Sequence, residues 1–442
     1  MKKISLLGLS IFLCITLLVP FSCTKKESIP VEIVIGGPAS LTGMYAGFGQ
    51  AAVFGMKAAV EDINKNGGIY LKELDKKLLL KLITNDCESD PQKAGTLAEQ
   101  LIVQNNVNFL IMGGEPPVMG PPVSNIADRY KVPFVYGAGP MEPWLAQRQE
   151  VEGHWQYTWA FGFPIVTPAP EGSPFSNPGY TVLANWKVML DKFGDQTNKT
   201  IAVFASADPD GVSWYGLFPE LLKEWGYKVV GVDKKLGLVP ADTTDFSSII
   251  NEWKNNNCEI LWGNAPAPVF GTLWKQCAAL GFKPKMASIG RAPMFYEDIT
   301  SWGGDLPLGI CLEVWGDPSL TDSRGIGGTT LETLAEKWTR DTGKPLNRSI
   351  GSGYRSVQVL ADAIERAGSL DREKVQSALG QTDGTFIMSR VKFDQNHFSY
   401  EPLALGQWQK TDKSWTWECP VIFSLLDIIE PTADPIFPIP GK

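Results

Sequence analysis

The sequence predicts an α/β protein made of two Rossmann-like lobes, each a parallel sheet covered by helices on both faces. Three observations predict it. Short apolar runs alternate with amphipathic helical stretches from residue 31 to residue 136. The same alternation restarts at residue 200, beyond a segment whose prolines forbid regular structure. The chain's 442 residues, 44% of them apolar, are enough for two full cores.

Taken in order, Val31 to Ile35 reads as a buried strand. In the stretch from Gln50 to Asn64, residues Val53, Met56, Val60 and Ile63 fall on one helical stripe, and Asn66-Gly67-Gly68 stops the helix. Leu78 to Thr84 is a second strand. Asp90-Pro91 then supplies an N-cap and a first-turn proline for a helix running to about Asn105. Val107 to Met112 and Pro133 to Tyr136 are strands on either side of a helix near Pro122 to Tyr130.

The stretch "PIVTPAPEGSPFSNPG" carries Pro164, Pro168, Pro170, Pro174 and Pro178 and reads as an irregular surface insertion, or as the rim of a cleft. Strands resume at Thr200 to Ala205, Tyr227 to Val232, Glu259 to Gly263 and Lys285 to Ile289. Between them Phe246, Ile249, Ile250 and Trp253 have the i, i+3, i+4, i+7 spacing of a buried helix face. A third section holds helices over Leu331 to Trp338 and Tyr354 to Ala367, then a hairpin across Thr411-Asp412-Lys413, then a proline-rich end over the surface.

The N-terminus reads as an export signal. Lys2 and Lys3 precede an apolar run, Ile4 to Val19, too short to span a bilayer comfortably, and residues 1–22 are expected to be removed. Cys23 resembles the lipidated cysteine of a bacterial lipobox, followed by a polar tether over 23–29, although Pro20 stands where that motif has Leu. Simple cleavage near Ser22 and an uncleaved anchor are the alternatives. The expected location is therefore the periplasm or the cell surface, with membrane attachment through lipid on Cys23.

The formal net charge is −8, with acids and bases mixed, which excludes the basic face of a nucleic-acid binder. Cys87, Cys258, Cys277, Cys311 and Cys419 form no C-x-x-C pair, so neither a zinc site nor a thioredoxin-type centre is indicated. His154 and His397 lie in separate segments, and no Gly-x-Ser-x-Gly elbow or metal-spaced cluster occurs. An enzyme, a metal and a cofactor are accordingly not expected; an exported hydrolase is the weakest alternative.

Gly47-Phe48-Gly49-Gln50-Ala51-Ala52 fits G-x-G-x-x-A, yet fails as a dinucleotide fingerprint. Its first glycine stands roughly ten residues past the strand instead of turning straight out of it, and no acidic ribose partner follows about 20 residues on.

"IGGPASLTGMYAGFGQAAVFGMKAAVEDINKNGGI", "NDCESDPQKAGTLAEQLI", "DFSSIINEW" and "GYRSVQVLADAIERAGSLDREKVQSAL" resemble the branched-chain-amino-acid type of ABC-transporter substrate-binding protein, the type I periplasmic binding fold. The resemblance runs from about Val31 to about Trp408. It implies two lobes joined by three crossovers, 30–158 with 316–402 and 159–315 with 403–442, closing on a small-molecule ligand. It also implies a monomer that delivers the ligand to inner-membrane permease subunits. A sensor of the same fold, signalling to a membrane partner, is the alternative duty.

Transferred to this chain, the cleft residues from the first lobe are Tyr45, Phe48, Gly114, Glu115, Pro116, Ala138, Gly139 and Met141. From the second come Asp208, Asp210, Trp214, Asn264, Pro266 and Arg291, with Trp155 and Trp159 near the first crossover. Relatives that bind amino acids have Ser/Thr donors after the third strand and a glutamate in the loop matching "GNAPAPVF". Here the first loop is "GGEPPVMGPP" and the second has no acid, which puts an ordinary aliphatic amino acid in doubt. The cysteine that pairs with the equivalent of Cys87 is also absent. The expected ligand is a small amino-acid-like, amide or aromatic carboxylate molecule. Arg291 would either hold its anion, or only tie down its own loop.

Overall fold

Each of the two alternations forms its own sheet. The computed structural model describes residues 30–232 and 237–440; the signal segment, Cys23 and the tether lie outside them. The first sheet runs, edge to edge, Phe398–Tyr400, Thr158–Gly162, Phe134–Ala138, Phe109–Glu115, Glu32–Ala39, Lys76–Asp86, Ile69–Leu71. Only the last pairing is antiparallel. The second runs Val421–Phe423, Ala404–Gln407, Ile310–Val314, Met286–Arg291, Ile260–Ala265, Thr200–Ser206, Lys228–Val230. Its parallel centre is extended at one side through two antiparallel pairings.

The chain passes between the sheets three times: after Gly162, after Val314 and after Tyr400. The first passage comes later than the expected boundary at 158/159. That boundary falls inside Thr158–Gly162, a short strand buried along its whole length with neighbours on both sides. The segment that follows has no helix or strand from Phe163 to Asn177. It is more than a surface insertion, because Phe163, Ile165, Ala169 and Phe175 are buried and Phe175 packs on Tyr180 and Tyr400.

The first long helix, Ala46–Lys65, starts four residues before the apolar stripe predicts. Two glycines explain why the helix can begin there. A Cβ on Gly49 would collide with the Ser40 backbone, and one on Gly47 would stand 2.6 Å from the Phe295 ring. The motif that looks like a phosphate loop is therefore a first helical turn, pressed against the end of a strand.

The helix Ser349–Ala367 packs on that helix and on the strand Phe109–Glu115. The approach is backbone to backbone. A Cβ on Gly55 would overlap the Ile350 carbonyl, a Cβ on Gly353 would overlap that of Ala52, and Gly113 faces the Gly353 Cα at 2.7 Å from where a Cβ would be. No side-chain adjustment relieves a clash with backbone.

Gly353→Leu is expected to cost about 3 kcal/mol in urea denaturation through overpacking. Gly216→Ala, on the helix Pro209–Glu224 with nothing within 4 Å, should instead stabilise by up to ~1 kcal/mol. Equal effects from the two would refute the close-packing account.

Candidate ligand-binding site

In a parallel α/β sheet the loops beyond the carboxyl ends of the strands are where ligands bind. Here such loops from both sheets meet around one narrow crevice. Phe48, Gly114, Glu115, Pro116, Pro117, Gly139, Pro140 and Ser352 line it from the first sheet and its helices. Asp210, Trp214, Arg291, Met294 and Glu313 line it from the second, with Phe163, Trp315 and Glu401 on the three passages between the sheets.

The second wall is organised by Arg291. Strand register sets Arg291 beside Ala265, and Asn264 beside Ala205, so three strand ends deliver their side chains at one level. Arg291 has φ +63°, which turns the chain sharply after the strand. Its Nε donates to Asn264 Oδ1 at 2.5 Å and lies 3.0 Å from Asp210 Oδ2. Its Nη1 and Nη2 each donate to an Asp208 oxygen at 3.1 Å, and Nη2 also reaches Ser206 Oγ at 2.9 Å. Asp208 caps the helix Pro209–Glu224 through Gly211 N–H, as the "ADPDG" turn suggests, and Asp210 accepts from Trp214 Nε1 at 3.1 Å.

The electrostatics follow from burial against pairing. Burial opposes ionisation of Asp208, yet the Arg291 charge together with hydrogen bonds from Arg291, Gly211 N–H and Ser206 outweighs it and holds the carboxyl below its ordinary range. For Asp210, whose side chain is largely buried, burial wins and the carboxyl is raised despite Arg291. The guanidinium is the reverse case: burial disfavours its charge, and the two aspartates more than restore it. Arg291 therefore has its charge spent inside the protein.

Two further carboxyls face the crevice without a cation of their own. Glu115, 2% exposed, accepts from Ser40 N–H at 3.0 Å through Oε1, and among the described residues no donor lies within hydrogen-bond distance of Oε2. Burial pushes its pKa up to about 7. Glu313, 1% exposed, accepts from Trp186 Nε1 at 3.2 Å and is pushed by burial up to about 8. Glu401 differs, because Arg355 from the helix Ser349–Ala367 pairs with it at 2.6 Å, and that guanidinium also lies 4.0 Å above the Phe161 ring.

Of the residues expected at the cleft, Phe48, Gly114, Glu115, Pro116, Gly139, Asp210, Trp214 and Arg291 stand in this lining. Asp208 and Asn264 sit behind it as supports of Arg291. Tyr45 is within electrostatic reach of Arg291, Asp208, Asp210 and Glu115, its phenol raised chiefly by burial. Ala138 ends its strand opposite Glu115, and Pro266 caps the helix Ala267–Ala279. Three others are placed elsewhere. Met141 and Trp155 belong to the core of the first sheet with Trp144, and Trp155 donates to Asn125 Oδ1 at 2.7 Å. Trp159 stacks on His397 at 3.8 Å between centroids and donates to Gln376. In each case a large apolar body found more burial in a sheet face than in the crevice.

Sequence reading missed Pro117, Phe163, Met294, Glu313, Trp315, Ser352 and Glu401. One signal was available: Glu313 is a lone acid inside the apolar run "ICLEV". Among the described residues no group of three or more His, Cys, Asp or Glu is arranged to hold a metal, no disulfide is present, and no helix is long and apolar enough to cross a membrane.

Residues 32–413 match the model of a family described as periplasmic binding protein. The Leu/Ile/Val-binding protein BraC3 of Rhizobium johnstonii is 26% identical over 394 residues, covering 86% of this chain and 92% of that one. Among solved structures, the branched-chain amino acid transporter substrate-binding protein LivJ of Streptococcus pneumoniae, in complex with isoleucine, superposes with a TM-score of 0.66 at 16% identity. That match covers 88% of this chain and 100% of LivJ. A periplasmic binding protein type 1 of Bordetella pertussis gives 0.65 at 16% identity over 88% of this chain and 100% of its own.

Removing Arg291 strands two carboxyls, the largely buried Asp210 and the half-buried Asp208. Arg291→Met is expected to lose about 3–5 kcal/mol of stability, and adding Asp208→Asn and Asp210→Asn should recover part of that loss, measured by urea denaturation. Glu115 and Glu313 keep their protons to about pH 7 and about pH 8 in the fold, well above the ~4.3 of an unfolded glutamate. The native state thus binds more protons across that window, so these groups make stability fall as pH rises from about 5 to 8. Glu313→Gln should flatten the profile. A slope identical to wild type would rule the assignment out.

Proposed function

The chain belongs to the periplasmic binding protein family, and on that premise we propose that it is the extracytoplasmic solute-binding component of an ABC importer. Its fold is that of the type I members, and its relatives are binding proteins rather than enzymes. The observation that carries the proposal is a crevice whose two walls come from different sheets, each bringing buried polar groups and aromatic rings to it.

Such a site works by population shift. When the walls part, a solute can touch one of them; contacts to Glu115 and Phe48 on one side and to Trp214 and Glu313 on the other coexist only when they meet. Binding therefore favours closure, by the free energy of the contacts made in the closed form alone. The two sheets, with their helices, act as lobes, and the three passages are the hinges. The closed surface docks on permease subunits, which receive the solute chemically unchanged.

The solute is small and amino-acid-like or amide-bearing. An aromatic carboxylate is less well served, because the basic group nearest to hand, Arg291, is already shared by two aspartates. Lys2, Lys3, the apolar run and Cys23 support export and attachment by lipid at the outer face of the membrane.

A thermal-shift screen over amino acids, amides and amines should yield a stabilising compound, since a ligand of the native state raises stability by RT ln(1 + [L]/Kd). Solution scattering should then give a smaller radius of gyration with that compound than without. An unchanged radius at saturation would overturn the closure mechanism.

A further inference from the structure

We infer that the solute is an organic cation, with its ammonium group held between Glu115 of one wall and Glu313 of the other, inside the aromatic surround of Phe48, Phe163, Trp214 and Trp315. The inference rests on the crevice being the solute site. It goes further by fixing the charge of what enters.

The charge balance at the crevice is one-sided. Five carboxyls line it or bond directly to its lining: Glu115, Asp208, Asp210, Glu313 and Glu401. Two guanidiniums answer them, and both are committed, Arg291 to the two aspartates and Arg355 to Glu401. No lysine or histidine is among the lining residues. An entering anion would meet carboxyls without a spare cation, and Pro116, Pro117 and Pro140 offer it no N–H.

Glu115 points to the ligand independently of the acid count. It is almost wholly buried, lines the crevice, and its Oε2 is within hydrogen-bond distance of no donor among the described residues. Such an orphaned acceptor is rare and costly, and a donor brought by a ligand removes the cost. The rings add a second attraction, because a cation near an aromatic face is drawn to its negative quadrupole. Phe163 and Trp315, 5.5 Å apart between centroids, stand together on this boundary.

The surroundings set the protonation chemistry. Around Glu115 lie Asp86, Tyr45, Cys87 and Tyr136, none of them a cation. Around Glu313 lie Asp210, Arg291 and Cys419. Burial leaves Glu313, pushed up to about 8, mostly protonated at neutral pH, and Glu115, pushed up to about 7, divided between its two forms. An ammonium seated between them favours their ionised forms, so its binding releases protons and strengthens as pH rises through 7 to 8. A carboxylate would instead accept hydrogen bonds from the protonated glutamates, and its binding would weaken over the same range.

Isothermal titration of the lipid-free protein lacking residues 1–23, in two buffers of different ionisation enthalpy, separates the cases. The probes are isopentylamine and phenethylamine against the carboxylates isovalerate and phenylacetate. The amines are expected to bind with proton release and about 10-fold more tightly at pH 8 than at pH 6. Glu115→Gln and Glu313→Gln should each weaken amine binding at least ~10-fold, the loss of a charged hydrogen bond. If either variant fails to fold, the wild-type proton count still decides. Carboxylates that bind with proton uptake and shrink the radius of gyration would overturn the inference while leaving solute binding intact. No binding or compaction with either set would remove both.

Discussion

Burying acid without enough base is the constraint on which the crevice depends. A carboxylate taken out of water must find donors, find a cation, or keep its proton. The last two solutions both occur within this small region. Asp208 takes the cation, Glu401 takes another, and Glu115 and Glu313 keep their protons. Asp210 stands between, sharing Arg291 yet too enclosed to ionise at its ordinary pH. The wall is therefore stable only as a set, since removing any one partner leaves the others with the wrong charge for their surroundings.

That set is assembled by parallel pairing. Neighbouring strands end at the same height, so Ser206, Asn264 and Arg291, from three separate segments, come together without any loop having to reach. On the facing side the first sheet does the same for Gly114, Glu115 and Gly139, and the glycine contacts let the helix Ser349–Ala367 lie directly over the strand Phe109–Glu115. The close approach matters for the site. It sets Ser352 in the lining and brings Arg355 to Glu401 on the third passage, where a looser packing would leave a buried charge unpaired.

The parts legible in the sequence were those governed by local periodicity. The helix over residues 91–103 was marked by Asp90 and Pro91, which cap it as expected, and most strands were found with ends a few residues short. Strand ends also located half of the crevice, because loops after parallel strands must lie at one edge of a sheet. Thr158–Gly162 and Ile310–Val314 went unread: each is only five residues, buried throughout, and so has no alternation to reveal it. With them went Phe163, Glu313 and Trp315.

By itself, then, the sequence determined the class of fold, the two-sheet plan and the failure of Gly47 and Gly49 as a nucleotide loop, since all three depend on spacing along the chain. The tertiary structure alone decided what those glycines do, which tryptophans serve the core and where the uncompensated charge lies. Charge compensation is a matter of distances across strands and passages. No reading along one dimension could tell that Arg291 is shared by two aspartates, or that Glu115 and Glu313, among the described residues, have no cation within ion-pair distance.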